Sequence, residues 1–182
     1  MQPLFWIDLE MTGLDDQTHR IIEVAVMLTD WNFKKLDEYH QVVFQEQKYL
    51  DAMDEWCTKT HGESGLTKAV AKGKPLDEVE KELLELIDRH YAPDERVVIA
   101  GNSVGNDKRF IDAQMPKLAS RLHYRIVDIS SFKEVFVNRY GIEFEKKNTH
   151  RALDDIVESI EELKAYLSHV SAKPIEPKPK AP

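Results

Sequence analysis

The chain has 182 residues, enough for one domain with a sizeable core, and its 42% hydrophobic and 32% charged content is that of a soluble globular protein. A net charge of −8 argues against a grip on long nucleic acid, which calls for a basic stripe, but leaves open a small phosphate ester held through cations. The only cysteine, Cys57, excludes an internal disulfide; with no run long enough to span a bilayer and no signal-peptide start, a reducing cytoplasm is the expected setting.

Leu4–Met11 reads as a strand, followed by a turn at Gly13–Asp16. Arg20–Thr29 (RIIEVAVMLT) is a second strand rich in β-branched residues, Asp30-Trp31-Asn32 is a turn, and Lys35–Phe44 is a third strand. The fold therefore opens as a meander. Helices are predicted over roughly Leu50–Lys59 and Gly65–Lys72. A longer one begins after Pro75, with Leu76, Val79, Leu83, Leu86 and Ile87 at helical spacing. Arg96–Ala100 (RVVIA) is a short buried strand that runs into GNSVGNDKRF, a glycine turn opening another helix. Arg125–Val127 is a brief strand, Ile129–Arg139 a helix, and Thr149–His169 the final helix.

No internal repeat is present. Residues 171–182, SAKPIEPKPKAP, carry four prolines and three lysines and cannot build a core, so they read as a flexible tail. Residues 1–170 are then one α/β domain around a mixed sheet.

Within that frame three acidic features stand out. Asp8 and Glu10 end an otherwise apolar strand, and side chains two apart on a strand share a face. Two converging carboxylates are costly unless a proton or cation lies between them, and hard Mg²⁺ or Mn²⁺ prefers carboxylate oxygen. Taken alone, D-x-E is common, and it reads more simply as a strand that ends at Asp8 with both acids solvated. Asp107 lies near a helix start, where the macrodipole favours an aspartate with no function required. In THRALDD the helix stripe is Leu153, Ile156, Ile160, Leu163 and Leu167. At about 100° per residue Asp154 falls opposite that stripe, and Asp155 falls on its edge, in line with Ala152, Ser159 and Tyr166. His150 lies about 140° around the helix from Asp155 and more naturally projects from the loop or first turn. A lone histidine at a helix start is usually just a surface residue.

The order DLE, then the aspartate of GNSVGND, then H-x₄-D resembles the DEDDh family of 3′→5′ exonucleases, and within it the oligoribonucleases. WIDLEMTGL, RIIEVAV, the WCTKTH–SGL region, GNSVGNDKRF, HYRIVDISS and NTHRALDDIVESI carry the likeness, over residues 4 to about 167. It implies an RNase H-like exonuclease fold, with a mixed five-stranded sheet flanked by helices. It implies that Asp8, Glu10, Asp107 and Asp155 hold two divalent cations, Mg²⁺ or Mn²⁺, with His150 as general base, all five being catalytic. Two-metal hydrolysis of the terminal phosphodiester, with ions about 4 Å apart, would release nucleoside 5′-monophosphates. The expected substrates are very short RNAs, dinucleotides especially, including linear products of cyclic dinucleotides.

The same likeness assigns substrate contacts. Leu14 is an apolar wedge between bases, where ordinary turn packing is the bland alternative. Trp56 and His61 flank the substrate, although an indole left to itself is more often core. Ser103, Arg125 and Ser130 close on the 5′-phosphate with Tyr124 beside the base. Tyr124 and Arg125 are expected to come from the second subunit of a homodimer, with no membrane involved. Three rivals remain at this point: a DEDDh exonuclease acting on longer RNA or DNA 3′ ends, a non-catalytic RNA-binding module, and a metal-stabilised structural protein.

Overall fold

A computed structural model describes residues 1–145 and 151–172. The strands are β1 (Leu4–Met11), β2 (Ile21–Thr29), β3 (Lys35–Val42), β4 (Val97–Gly101) and β5 (Leu122–Asp128). They form one sheet in the order β3-β2-β1-β4-β5. The opening meander is antiparallel, whereas β4 and β5 join β1 in parallel. The helices are α1 (Gln47–Asp51), α2 (Glu55–Glu63), α3 (Leu66–Val70), α4 (Leu76–His90), α5 (Gly105–Gln114), α6 (Pro116–Arg121), α7 (Ile129–Tyr140) and α8 (Ala152–Leu167).

The expected mixed sheet flanked by helices is what forms, with three local differences. The predicted Leu50–Lys59 helix is two helices, because Asp54 turns extended and its side chain caps α2 by accepting from Cys57 N. β5 is longer than Arg125–Val127, since pairing with β4 extends from Leu122 to Asp128. α6 was not anticipated; Pro116 stands at its first position, where a missing N–H costs nothing. The predicted starts of the last helix, Thr149 and His150, and residues 173–182 of the tail lie outside the described residues.

The pleat sorts β1 between two cores. Phe5, Ile7 and Leu9 pack with Val79, Leu83, Phe110 and Leu118 from α4, α5 and α6. Leu4 and Trp6 pack on the other face with Ile129, Ala152, Ile156 and Ile160 from α7 and α8. Asp8 and Glu10 continue the second series, so the strand's period of two delivers both acids to the α8 face. The parallel strands β1, β4 and β5 run the same way, and their carboxyl ends carry Glu10, Asn102-Ser103 and Asp128-Ser130 to one edge of the sheet.

Candidate active site

At that edge Asp8, Glu10 and Asp155 each offer a carboxylate oxygen, and the three oxygens lie within 4.8 Å of one another. Asp155 is supplied from the first turn of α8, on the partly buried edge that the helical wheel assigned to it, while Asp154 is exposed. Asp107 stands beside this group rather than within it. Its Oδ1 accepts from Leu9 N at 2.9 Å, which pins the start of α5 to β1 between the two acids.

The electrostatics follow from that crowding. Burial, and then the charges of Asp107, Glu10 and Asp155, raise the Asp8 carboxyl well above its ordinary range. Burial first, then Asp155, Glu23 and Asp107, push Glu10 up to about 8. Burial pushes Asp107 up to about 7, against the lowering effect of the Leu9 N–H. A set of hard oxygen donors that repel one another and are withdrawn from water fits a divalent cation of the Mg²⁺ or Mn²⁺ type. Among the described residues this is the one such group of three.

The cluster opens on a cavity of about 500 Å³ lined by Leu9, Glu10, Met11, Gly13, Leu14, Asp54, Trp56, Cys57 and His61. Leu14 is 72% exposed and Trp56 59% exposed, so neither is packed in a turn or in the core. The Leu14 turn is nonetheless fixed. The His19 ring occupies the space where a Cβ on Gly13 would sit, at 2.5 Å, and its Nδ1 accepts from Asp15 N. His61 is 1% exposed. Its Nε2 donates to Met11 O at 2.9 Å and its Nδ1 lies 3.9 Å from Glu10 Oε2, so it fastens α2 to the acid-bearing end of β1.

Ser103 and Ser130 are brought together, with their Oγ atoms 2.9 Å apart. Ser103 adopts φ 49°, a left-handed conformation that costs a side-chain-bearing residue roughly 1–3 kcal/mol. Its N–H donates to Asp128 Oδ1 and Ser130 Oγ, which hold it there. Ser130 Oγ donates in turn to Asn102, whose amide donates to Ser159 and Glu162 of α8. Tyr124 and Arg125 are not at this edge. They are exposed on β5, at the sheet's margin, with β4 between them and β1. There the Tyr124 ring stacks on His123 and the Arg125 guanidinium lies 5.3 Å from the Tyr124 ring. His150 lies outside the described residues.

Sequence reasoning passed over Glu23 and Arg151. Glu23 is wholly buried and directly opposite Glu10. Burial pushes its carboxyl up, but hydrogen bonds from His40 and Arg151 outweigh that and hold it below its ordinary range. The available signal was a single acid in an otherwise apolar β-branched run.

Known proteins resemble this chain in sequence and in fold. The family profile RNase_T, described as Exonuclease, matches residues 5–163. The chain is 43% identical to the mitochondrial oligoribonuclease of Homo sapiens, over 97% of this chain and 77% of that protein. It is 45% identical to the oligoribonuclease of Francisella tularensis subsp. novicida, over 90% of this chain and 93% of that protein. In fold it resembles Exonuclease I from Methylocaldum szegediense, with a TM-score of 0.73 at 14% identity, covering 93% of this chain and 41% of that one. The zinc-bound complex of E. coli Exonuclease I with single-stranded DNA gives a TM-score of 0.73 at 15% identity, covering 92% and 41%.

Proposed function

The chain belongs to the oligoribonuclease group of the exonuclease family, and from that premise we propose that its preferred substrates are the shortest RNAs, dinucleotides above all. The activity itself, 3′→5′ hydrolysis of short RNA, comes with the membership. The observation that carries the finer reading is the convergence of Asp8, Glu10 and Asp155 beside a cavity walled by Leu14 and Trp56.

Asp8, Glu10, Asp155 and the adjoining Asp107 are the residues that would hold two divalent cations, Mg²⁺ or Mn²⁺. Bound there, such ions supply acidity to a water molecule and charge stabilisation to the departing 3′-oxygen. The chain's own groups do the rest. His150 takes the proton from the attacking water, a task suited to an imidazole whose ordinary pKa of about 6.5 lies near working pH. Leu14 separates the two bases, and Trp56 stacks on one of them, worth roughly 1–3 kcal/mol. His61 keeps Glu10 and the cavity wall in register.

Ser103 and Ser130 offer a paired hydroxyl site for the 5′-phosphate. Arg125, with forked donors suited to phosphate, and Tyr124 complete it from a second subunit. A homodimer is supported by exposed large apolar groups on the same chain, among them Tyr124 at 77% on β5 and Val135 at 53% and Tyr140 at 59% on α7. A closed 5′-phosphate site admits two nucleotides and no third, which agrees with the acidic net charge of −8. Linear products of cyclic dinucleotides belong to the same chemical class. Among the described residues no helix is long and apolar enough to cross a membrane. A reducing cytoplasm suits buried Cys57, whose thiol is pushed up to about 11 by burial and by Asp54.

The test is a time course on 5′-phosphorylated RNAs of two to seven nucleotides, with Mg²⁺ and with Mn²⁺. The dinucleotide is expected to have the highest kcat/KM and to yield only 5′-monophosphates. Similar kcat/KM for a pentamer and a dinucleotide would overturn the length limit.

A further inference from the structure

We propose that the Glu23–Arg151 ion pair is a positioning latch that fixes the first turn of α8, and with it Asp155, against the strand pair bearing Glu10. This inference rests on the function proposed above.

Glu23 is the only charged residue of β2, a strand whose nine residues are all buried. It is 0% exposed and stands directly opposite Glu10 in the β1–β2 register. A carboxylate in that place should either join the metal ligands or impose a heavy desolvation cost. Its oxygens are instead occupied by donors, which offset that cost. Arg151 Nη2 donates to Glu23 Oε1 at 2.6 Å, and Arg151 Nε lies 3.1 Å and 3.3 Å from Oε1 and Oε2. His40 Nε2 donates to Oε1 at 2.7 Å. Ala152 N donates to Oε2 at 3.3 Å.

The last of these bonds ties the pair to the helix. Arg151 is the N-cap residue of α8, and its side chain makes no cap of its own. A helix start leaves N–H groups without intrahelical partners, and Glu23 satisfies one of them from another strand. The guanidinium also reaches Ser64 O at 3.4 Å, at the end of α2. One side chain therefore joins β2, the end of α2 and the start of α8. Asp155 N donates to Arg151 O at 3.0 Å, so the metal-facing carboxylate hangs one helical turn from the latch. Arg151 also directly follows His150 in the chain.

Stability alone gives no reason for this arrangement, since a buried ion pair is often matched or bettered by apolar residues of similar volume. Groups that orient metal ligands behave otherwise. Removing one typically costs about 10–100-fold in metal affinity or activity. Lysine replaces the arginine only in part, because it keeps the charge but a single ammonium cannot make the forked contact with both carboxylate oxygens.

The experiment compares the parent with Arg151→Gln, Arg151→Lys, Glu23→Gln and the double variant Glu23→Gln/Arg151→Gln. It measures dinucleotide kcat and KM, Mn²⁺ affinity without RNA, and amide hydrogen exchange over Ala152–Asp155. In Arg151→Gln, kcat and Mn²⁺ affinity are expected to fall about 10–100-fold with KM nearly unchanged, while exchange in that turn rises. The double variant should lose no more than either single variant, because both remove one shared interaction. Should Arg151→Gln fail to fold, Arg151→Lys retains the charge and is expected to show the same pattern to a smaller degree. Parent-like kcat and Mn²⁺ affinity in Arg151→Lys and in any folded Arg151→Gln would overturn the latch, as would a loss confined to KM or additive losses in the double variant. A parent that hydrolyses no short RNA, with variants that still lose Mn²⁺ affinity and exchange protection, would sink the functional reading and leave the latch standing.

Discussion

Two sets of withdrawn carboxylates lie within this one fold. Asp8, Glu10 and Asp155 face one another at the end of β1, and burial with mutual repulsion drives Asp8 and Glu10 toward the protonated form. Glu80 and Glu162 face donors instead. Glu80 Oε1 accepts from Lys117 N at 2.8 Å and Leu118 N at 3.1 Å, capping α6 from α4. Glu162 accepts from Asn102 Nδ2 and from the Tyr166 hydroxyl, each at 2.9 Å. The second set holds the fold together. The first is held together by the fold, at a cost that a proton or a cation offsets. Glu23 stands at the border, close enough to repel Glu10 but bound to Arg151.

The sharpest way to break that comparison is to remove one acid from the first set. Asp8→Asn should lower kcat on short RNA by about 10³-fold or more, equivalent to about 4 kcal/mol of transition-state stabilisation. The same change should make the metal-free protein more stable, because it deletes one of the repelling charges. Urea unfolding in the presence of a chelator checks this, and a lower midpoint for Asp8→Asn would contradict the division into two sets.

Metal and pH act on the same set. Because the folded Glu10 titrates at about 8 rather than 4.5, the folded metal-free chain keeps a proton that the unfolded chain has released. Asp107, at about 7 rather than 3.8, adds to this. The folded state therefore binds more protons across that window, and stability falls as pH rises from about 5 to about 8. Saturating Mn²⁺ should remove the slope, since occupied ligands are already deprotonated, and at 100 times Kd should add about 2.7 kcal/mol. Melting curves at several pH values, with and without Mn²⁺, test this. A metal-free Tm that climbs with pH, or a slope that is not reduced in Glu10→Gln, would refute the assignment.

Glu80→Ala probes the other set. It strands two backbone N–H groups at the start of α6 and should cost about 1–3 kcal/mol of stability with kcat unchanged. A drop in dinucleotide kcat in the folded variant would show that the two sets are not separable.

How much of this could be read from the residues differs between the same two sets. The pleat predicts that Asp8 and Glu10 share a face, and the α8 wheel predicts that Asp155 rather than Asp154 turns inward, because both periods are local. The meander and the two later strands were legible for the same reason. Asp107 was not legible from its surroundings, since its bond to Leu9 N joins residues 98 apart in the chain, and the family likeness was needed to select it. Glu80 and Glu23 were illegible for that reason too. An acid on a helix or in a strand announces its charge, but its donors come from α6 or α8, far along the chain. The break between α1 and α2 was missed because Asp54 reads equally as a helix residue and as a cap until its backbone is seen to be extended.

The smallest effect concerns the apolar neighbours of the acids, where the comparison carries over to hydrophobic residues. Leu9 and Leu14 line the same cavity, but Leu9 is 5% exposed and Leu14 72% exposed. Leu9→Ala empties part of the core and should cost about 2–5 kcal/mol of stability. Leu14→Ala removes a side chain that the folded protein leaves in water, so its stability should stay within about 0.5 kcal/mol of the parent. On the proposed role as a wedge its effect should fall on the substrate, because a base on either side would bury the side chain. Losing that apolar contact weakens binding by up to about 2 kcal/mol, which raises the dinucleotide KM by at most roughly 30-fold with kcat less affected. Parallel urea midpoints and steady-state kinetics on the two variants decide it. A destabilised Leu14→Ala with parent-like KM would return Leu14 to the turn as packing.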